Sequence, residues 1–112
     1  MSVGAPGDVS LRPARTVDIA EVRRLVDLYA PDRRLLSKAT VTLYEDVQEF
    51  VVAELGGRVV GCGALHVMWQ DLAEVRTLAV DPDYLGMGIG GQLLEELVQR
   101  GRDLGVSRIF VL

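Results

Sequence analysis

The chain has 112 residues, 49% hydrophobic and 25% charged, which is the length and composition of one globular domain. Its net charge of −4 and pI of about 4.9 argue against a broad nucleic-acid or anionic-membrane surface, but leave room for a small anion held by backbone N–H groups. One cysteine and one histidine exclude an internal disulfide and a zinc site of the usual Cys/His spacing, and no apolar run is long enough to cross a bilayer.

Met1–Asp8 reads as a loose tail without the apolar stretch of a signal peptide, so a cytoplasmic location is the expectation. Val9–Ala14 alternates like a strand. In "TVDIAEVRRLVDLYA", Ile19, Val22, Leu25, Val26 and Tyr29 form a helical stripe that ends at Pro31. Asp18 and Glu21 have the spacing of a capping box there, with Thr16 an alternative cap. Asp32–Thr40 is a polar connection, and Val41–Phe50 a short second helix with Leu43, Val47 and Phe50 on one side. "FVVAEL" and "RVVGCGALHVMW", joined by Gly56-Gly57, predict a hairpin, and "LAEVRTLAV" a further strand closed by Asp81-Pro82.

A glycine-rich turn then opens a helix whose stripe is Ile89, Leu93, Leu94, Leu97, Val98 and Leu104, with Gly105 as its C-cap. "SRIFVL" is the last strand. The order is β-α-α-β-β-β-α-β, an α/β (α+β) domain over residues 9–112. Its early strands should be antiparallel, and its last two parallel across a right-handed crossover.

Gly86-x-Gly88-x-x-Gly91 has the spacing of a dinucleotide fingerprint. It lies late in the chain, though, and lacks the acidic residue that such a motif has about 20 residues further on. It is not a phosphate loop either, since Gln92 and Leu93 follow Gly91 where Lys and Ser/Thr are required. What stands on physical grounds is a helix N-terminus whose free N–H groups and dipole suit a phosphate, against the plainer alternative of an ordinary turn.

Other residues carry weaker signals. Cys62 and His66 lie four apart on one strand, about 13 Å by strand rise, too far for a hydrogen-bonded nucleophile and base. Glu74 sits in an otherwise apolar strand, on the same face as Arg76. It is either a half-buried base or one half of a structural ion pair.

"LAVDPDYLGMGIGGQLLEEL" resembles the acetyl-CoA-binding motif of the GNAT superfamily of N-acetyltransferases. There, a loop of the form Q/R-x-x-G-x-G/A between strand and helix holds the coenzyme pyrophosphate. Gly86 and Gly88 fit that pattern, and Asp83 departs from it by standing where Gln or Arg is usual. "LLSKATVTLYEDVQEFVVAE", "VVGCGALHVMWQDLAEVRTLAVDP" and "GRDLGVSRIFVL" resemble the short bacterial N-acetylglutamate synthases of arginine biosynthesis.

The resemblance implies direct acetyl transfer from acetyl-CoA to an amine, with no acyl-enzyme. It assigns coenzyme contacts to Leu78, Ala79 and Val80 through their backbone, and to Gly86, Met87, Gly88, Ile89, Gly90 and Gly91. It assigns the amine's proton to Glu74, and the carboxylates of a glutamate acceptor to Lys38 and Arg76, with Arg12 and Tyr44 behind them. No metal and no nucleic acid or membrane partner is implied, and a homodimer is compatible with it. It further implies a C-terminal part beyond "RIFVL", a helix and two strands, that closes the acceptor site. Other readings stay open: an acetyl-CoA-binding sensor or subunit without catalysis, an N-acetyltransferase of another small amine, or a nucleotide-binding domain.

Overall fold

The glycine pair at 56 and 57 does what a two-residue hairpin turn demands, with φ of +58° and +80°. It joins β2 (Phe50–Leu55) to β3 (Arg58–Trp69), and β4 (Leu72–Val80) folds back on β3 after another tight turn. With β1 (Ser10–Pro13) on one edge and β5 (Ile109–Val111) on the other, these form a five-stranded sheet in the order β1-β2-β3-β4-β5. All pairs are antiparallel except β4 with β5, which run parallel across the helical crossover, so the topology expected from the sequence is the one found. The computed structural model describes residues 8–29 and 36–111; the tail up to residue 7, Pro31 and Leu112 lie outside them.

Period-two alternation sends the strand side chains to two cores. On one face Val51, Ala53, Leu55, Val60, Leu65 and Val75 pack against Ile89, Leu93 and Leu97 of the crossover helix α3 (Ile89–Leu104). On the other, Phe50, Val52, Val59, Cys62, Ala64 and Ala79 pack against Val22 and Leu25 of α1 (Ile19–Tyr29). Each fully buried Leu or Ile contributes about 2 kcal/mol, so α3, with three of them, is held far more by its inner stripe than by helix propensity.

That stripe runs 93, 97, 101 rather than through Leu104, which is 67% exposed. Gly101 takes the last inward position because any Cβ there would lie 2.5 Å from Cδ1 of Ile109. Gly105 then ends the helix at φ +94°, and the N–H of Val106 returns to the carbonyl of Gly101 at 2.8 Å.

Three local expectations need correction. The second helix, α2, spans Leu36–Glu45 and so begins inside the predicted polar connection. Val47–Glu49 form a separate tight turn, and Phe50 opens β2, where the α1-facing core buries it to 3% exposure. Asp18 does not form a capping box with Glu21. It closes a one-turn 3-10 segment, Thr16–Asp18, by accepting from the Arg15 N–H at 2.7 Å, and Arg12 grips it at 2.8 and 3.0 Å. Glu21 pairs instead with Arg24, one turn along α1. Among the described residues no helix is long and apolar enough to cross a membrane.

Candidate functional site

The parallel pairing of β4 with β5 is short. It covers Ala73 with Ile109, Glu74 with Phe110 and Val75 with Val111. Among the described residues the β5 side of β4 carries no strand from Arg76 to Val80. The same stretch is bulged, since Cys62 faces Ala79 whereas Ala64 faces Arg76, three steps of β4 against two of β3. At the bulge Thr77 takes a φ of +55°. That is a costly conformation for a β-branched residue, about 1–2 kcal/mol, so the surrounding structure must hold it there.

Two neighbours on β3 do so. A Cβ on Gly63 would lie 3.0 Å from Cδ1 of Leu78 and 2.9 Å from Cδ1 of Leu97, so only glycine leaves room for the bulge under α3. Cys62 Sγ donates to the carbonyl of Thr77 at 3.6 Å, and burial pushes its thiol up to about 12, which keeps the donor protonated. Arg76, Thr77 and Leu78 consequently face solvent, while Ala79 is buried and Val80 half-buried.

β4 runs directly into the glycine turn. Asp81 is buried, and its carboxylate accepts from the Asp83 N–H at 3.0 Å, shaping the short turn Pro82–Tyr84. Gly86 and Gly88 follow at φ of +86° and +79°, and Gly88 is the N-cap of α3. The first ladder bond of the helix runs from the Gln92 N–H to the carbonyl of Gly88 at 3.1 Å. Helical geometry therefore leaves the N–H groups of Ile89, Gly90 and Gly91 without an intrahelical acceptor. A Cβ on Gly86, Gly88 or Gly91 would meet nothing within 4 Å. Open space stands against this backbone at the N-terminus of a 16-residue helix, where free N–H groups and the positive end of the dipole suit an anion. Ile89 takes part through its backbone alone, because its side chain lies in the core. Gly90 faces the end of β4, 3.7 Å from Cγ2 of Val80.

The charged residues form a second group, on β3 and β4 below the bulge. Glu74 is 7% exposed, and its Oε1 accepts from Nε of Arg76 at 2.7 Å. In the sheet it stands opposite His66. His66 does not approach Cys62. Its Nδ1 lies 3.0 Å from Oε2 of Glu49, in the turn before β2. Arg100 of α3 fixes that turn by donating to the carbonyls of Gln48 at 2.9 Å and Glu49 at 3.5 Å. A cavity of about 210 Å³ opens beside it, lined by Glu49, Leu65, Val67 and Arg100 among others.

Glu74, Arg76, His66 and Glu49 are thus brought together, and Glu49 is the member that sequence reading missed. The spacing of His66 and Glu49, 17 residues, carries no local signal. Lys38 lies in α2 rather than in a loop, and its side chain falls outside the described residues. Arg12 is spent on Asp18 and Glu54, which removes it from the acceptor group. Tyr44, on α2, is 48% exposed.

Residues 19–112 match the Acetyltransferase (GNAT) family. An amino-acid acetyltransferase of Mycobacterium tuberculosis is 56% identical over 105 residues, covering 91% of this chain and 60% of that protein. A crystal structure from M. tuberculosis, in complex with CoA and NLQ, superposes with a TM-score of 0.83 at 56% identity, over 92% of this chain and 63% of the other. The N-acetylglutamate synthase of Neisseria gonorrhoeae, in complex with coenzyme A and N-acetyl-glutamate, gives 0.80 at 31% identity, over 93% of this chain and 25% of the other. The chain spans about three fifths of the length of the mycobacterial relative. The overall fold is shared with these relatives, and the chain belongs to the acetyltransferase (GNAT) family.

Proposed function

We propose that the chain binds acetyl-CoA and serves transfer of its acetyl group to the α-amine of an amino acid, with L-glutamate the acceptor and arginine biosynthesis in the cytoplasm the setting. The observation that carries the reading is the continuity of the bulged edge of β4, unpartnered among the described residues, with the glycine turn, which matches an extended coenzyme with a pyrophosphate at one end. The mycobacterial relative named amino-acid acetyltransferase and the gonococcal synthase crystallised with coenzyme A and N-acetyl-glutamate support the reaction class and the acceptor.

In this reading the N–H groups of Gly86–Gly91, together with the α3 dipole, hold the pyrophosphate. The backbone of Leu78–Val80 pairs with the pantetheine amides as an added strand would. The N–H near Leu78, turned outward by the bulge, polarises the thioester carbonyl. The acceptor lies over Glu74 and Arg76, with Lys38 contributing positive charge. Its amine gives a proton to Glu74, directly or through water, and the freed lone pair attacks the thioester carbon. The C–N bond forms as the C–S bond breaks, CoA leaves as the thiolate, and the second proton of the amine nitrogen passes to that thiolate, directly or through water, leaving a neutral amide and the free thiol. Nε of Arg76 is already committed to Glu74, yet its side chain is 45% exposed, so the guanidinium still offers donors to a carboxylate.

Thiol release from acetyl-CoA, followed across a panel of amino acids that includes glutamate and glutamine, tests the proposal. Glutamate-dependent release is expected. Coenzyme binding with no release from any amino acid would replace the enzyme reading with that of a binding module.

A further inference from the structure

The glycine turn is anchored from the opposite face of the sheet. Asp81, 5% exposed, stands at the junction of β4 with the turn and makes four hydrogen bonds. Its N–H donates to the carbonyl of Val60 at 2.8 Å, and its own carbonyl accepts from the Tyr84 N–H at 2.9 Å. Its Oδ1 accepts from the Asp83 N–H at 3.0 Å, and its Oδ2 from Nη1 of Arg24 at 3.0 Å.

Arg24 reaches across from α1. Its Nη2 donates to the carbonyl of Val59 at 3.2 Å, and its Nε to Glu21 at 2.7 Å. One guanidinium thus ties α1, the start of β3 and the end of β4 together. Five residues further along α1, the hydroxyl of Tyr29 donates to the carbonyl of Val80 at 2.5 Å. Sequence separations of 57 and 51 residues put these links beyond any local motif.

A helical packing contact would need none of this charge. The arrangement matters because of where Asp81 stands: a buried carboxylate leads into a turn whose backbone is open to an anion. Left alone it would repel that anion, and without its bond to Asp83 the turn would lose the closure that aims the following amides. Arg24 removes the first problem and holds Asp81 for the second.

We propose that Asp81 and Arg24 are positioning residues for the coenzyme: Asp81 sets the path of the Gly86–Gly91 turn, and Arg24 orients and neutralises Asp81. The proposal rests on the coenzyme reading above and extends it to α1, on the far side of the sheet from α3. The expected ligand contact is none for either side chain. Both act through the backbone amides of the turn.

The test is CoA affinity of the full chain by titration calorimetry, with thermal melting of each variant alongside. Asp81→Ala should bind CoA at least tenfold more weakly. Asp81→Asn keeps an acceptor for the Asp83 N–H and should bind within about threefold of the wild type, a rescue that loss of packing would not give. Arg24→Met leaves Asp81 buried, charged and unpaired, and should bind about tenfold more weakly. Adding Asp81→Asn to Arg24→Met should recover at least fivefold of that loss, as coupled partners do.

Wild-type affinity in Asp81→Ala overturns the positioning role. Should Asp81→Ala fail to fold, equal affinities for Arg24→Met and the double variant overturn it instead. Absence of CoA binding by the wild type overturns the coenzyme reading and this proposal with it.

Discussion

The two halves of the site are built from different materials. The proposed coenzyme half is mostly backbone: a strand edge unpaired among the described residues, a bulge at Thr77, and a turn with two positive φ angles leading into a helix N-terminus. The acceptor half is side chain: Glu74 with Arg76, and His66 with Glu49, each charge already matched by a neighbour. Backbone recognition needs only that bulk be absent, so it survives large changes in the surrounding sequence. Side-chain recognition needs particular groups at particular distances, and here those groups are drawn from separate elements.

The largest expected effect separates the halves cleanly. Glu74→Gln should lower kcat for acetyl transfer by about 10²–10³-fold, as loss of a positioned base does, while CoA affinity stays within about threefold. A steady-state rate and a calorimetric titration on the same variant check both. Gly88→Val does the converse. It forces a β-branched residue to a φ of +79° and places methyl groups in the open space beside the turn, so CoA affinity should fall at least tenfold. The new Cβ meets nothing within 4 Å, so the cost to the fold is the backbone strain of the positive φ alone, about 1–2 kcal/mol, which thermal melting of the variant checks.

Gly63→Ala joins the halves. Its methyl would press on Leu78 and Leu97 at 3.0 and 2.9 Å, and overpacking of this kind costs about 1–3 kcal/mol. The melting temperature should drop by several degrees, and CoA affinity with it if the bulge moves. Glu49→Gln should change stability by less than about 1 kcal/mol, since the pair with His66 is half-exposed.

Acid gives a further, smaller contrast. The hydrogen bonds from Arg12, with the Arg15 N–H helping, hold the Asp18 carboxyl below its ordinary value of 3.8. A depressed folded-state pKa stabilises above the unfolded value and loses that contribution as pH falls through the folded value. Melting temperature should therefore fall more steeply in the wild type than in Asp18→Asn as pH drops below 3.8. Asp81 beside the glycine turn is also held below its ordinary value, chiefly by the bond from the Asp83 N–H, but it is present in both proteins and drops out of that difference.

The contrast also explains what could be read from the sequence. Gly86, Gly88 and Gly105 stand where only a residue without Cβ sits easily, so the turn and the helix end were legible. "FVVAEL" and "LAEVRTLAV" are apolar runs bounded by turn residues, so these strands were legible. The bulge was not legible, because Thr77 itself disfavours the conformation it adopts. Its cause lies in Gly63 on the neighbouring strand and in Leu97 across the helix. Arg12 looked free for an acceptor, and only folding delivers Asp18 and Glu54 to it. Leu104 fits the helical period but is 67% exposed, because Gly101 takes the last inward position of the stripe. The spacing of Phe50 suits a helix, but the core that buries it belongs to a strand.

The proposed function requires that backbone amides of the glycine turn and the bulged strand hold the coenzyme. Titrating CoA into the ¹⁵N-labelled chain and following amide resonances tests it most directly. Saturable shifts at Gly86–Gly91 and at Leu78–Val80, larger than those at Glu49, His66 and Glu74, are the predicted result. Binding that leaves the Gly86–Gly91 amides unmoved would contradict the account.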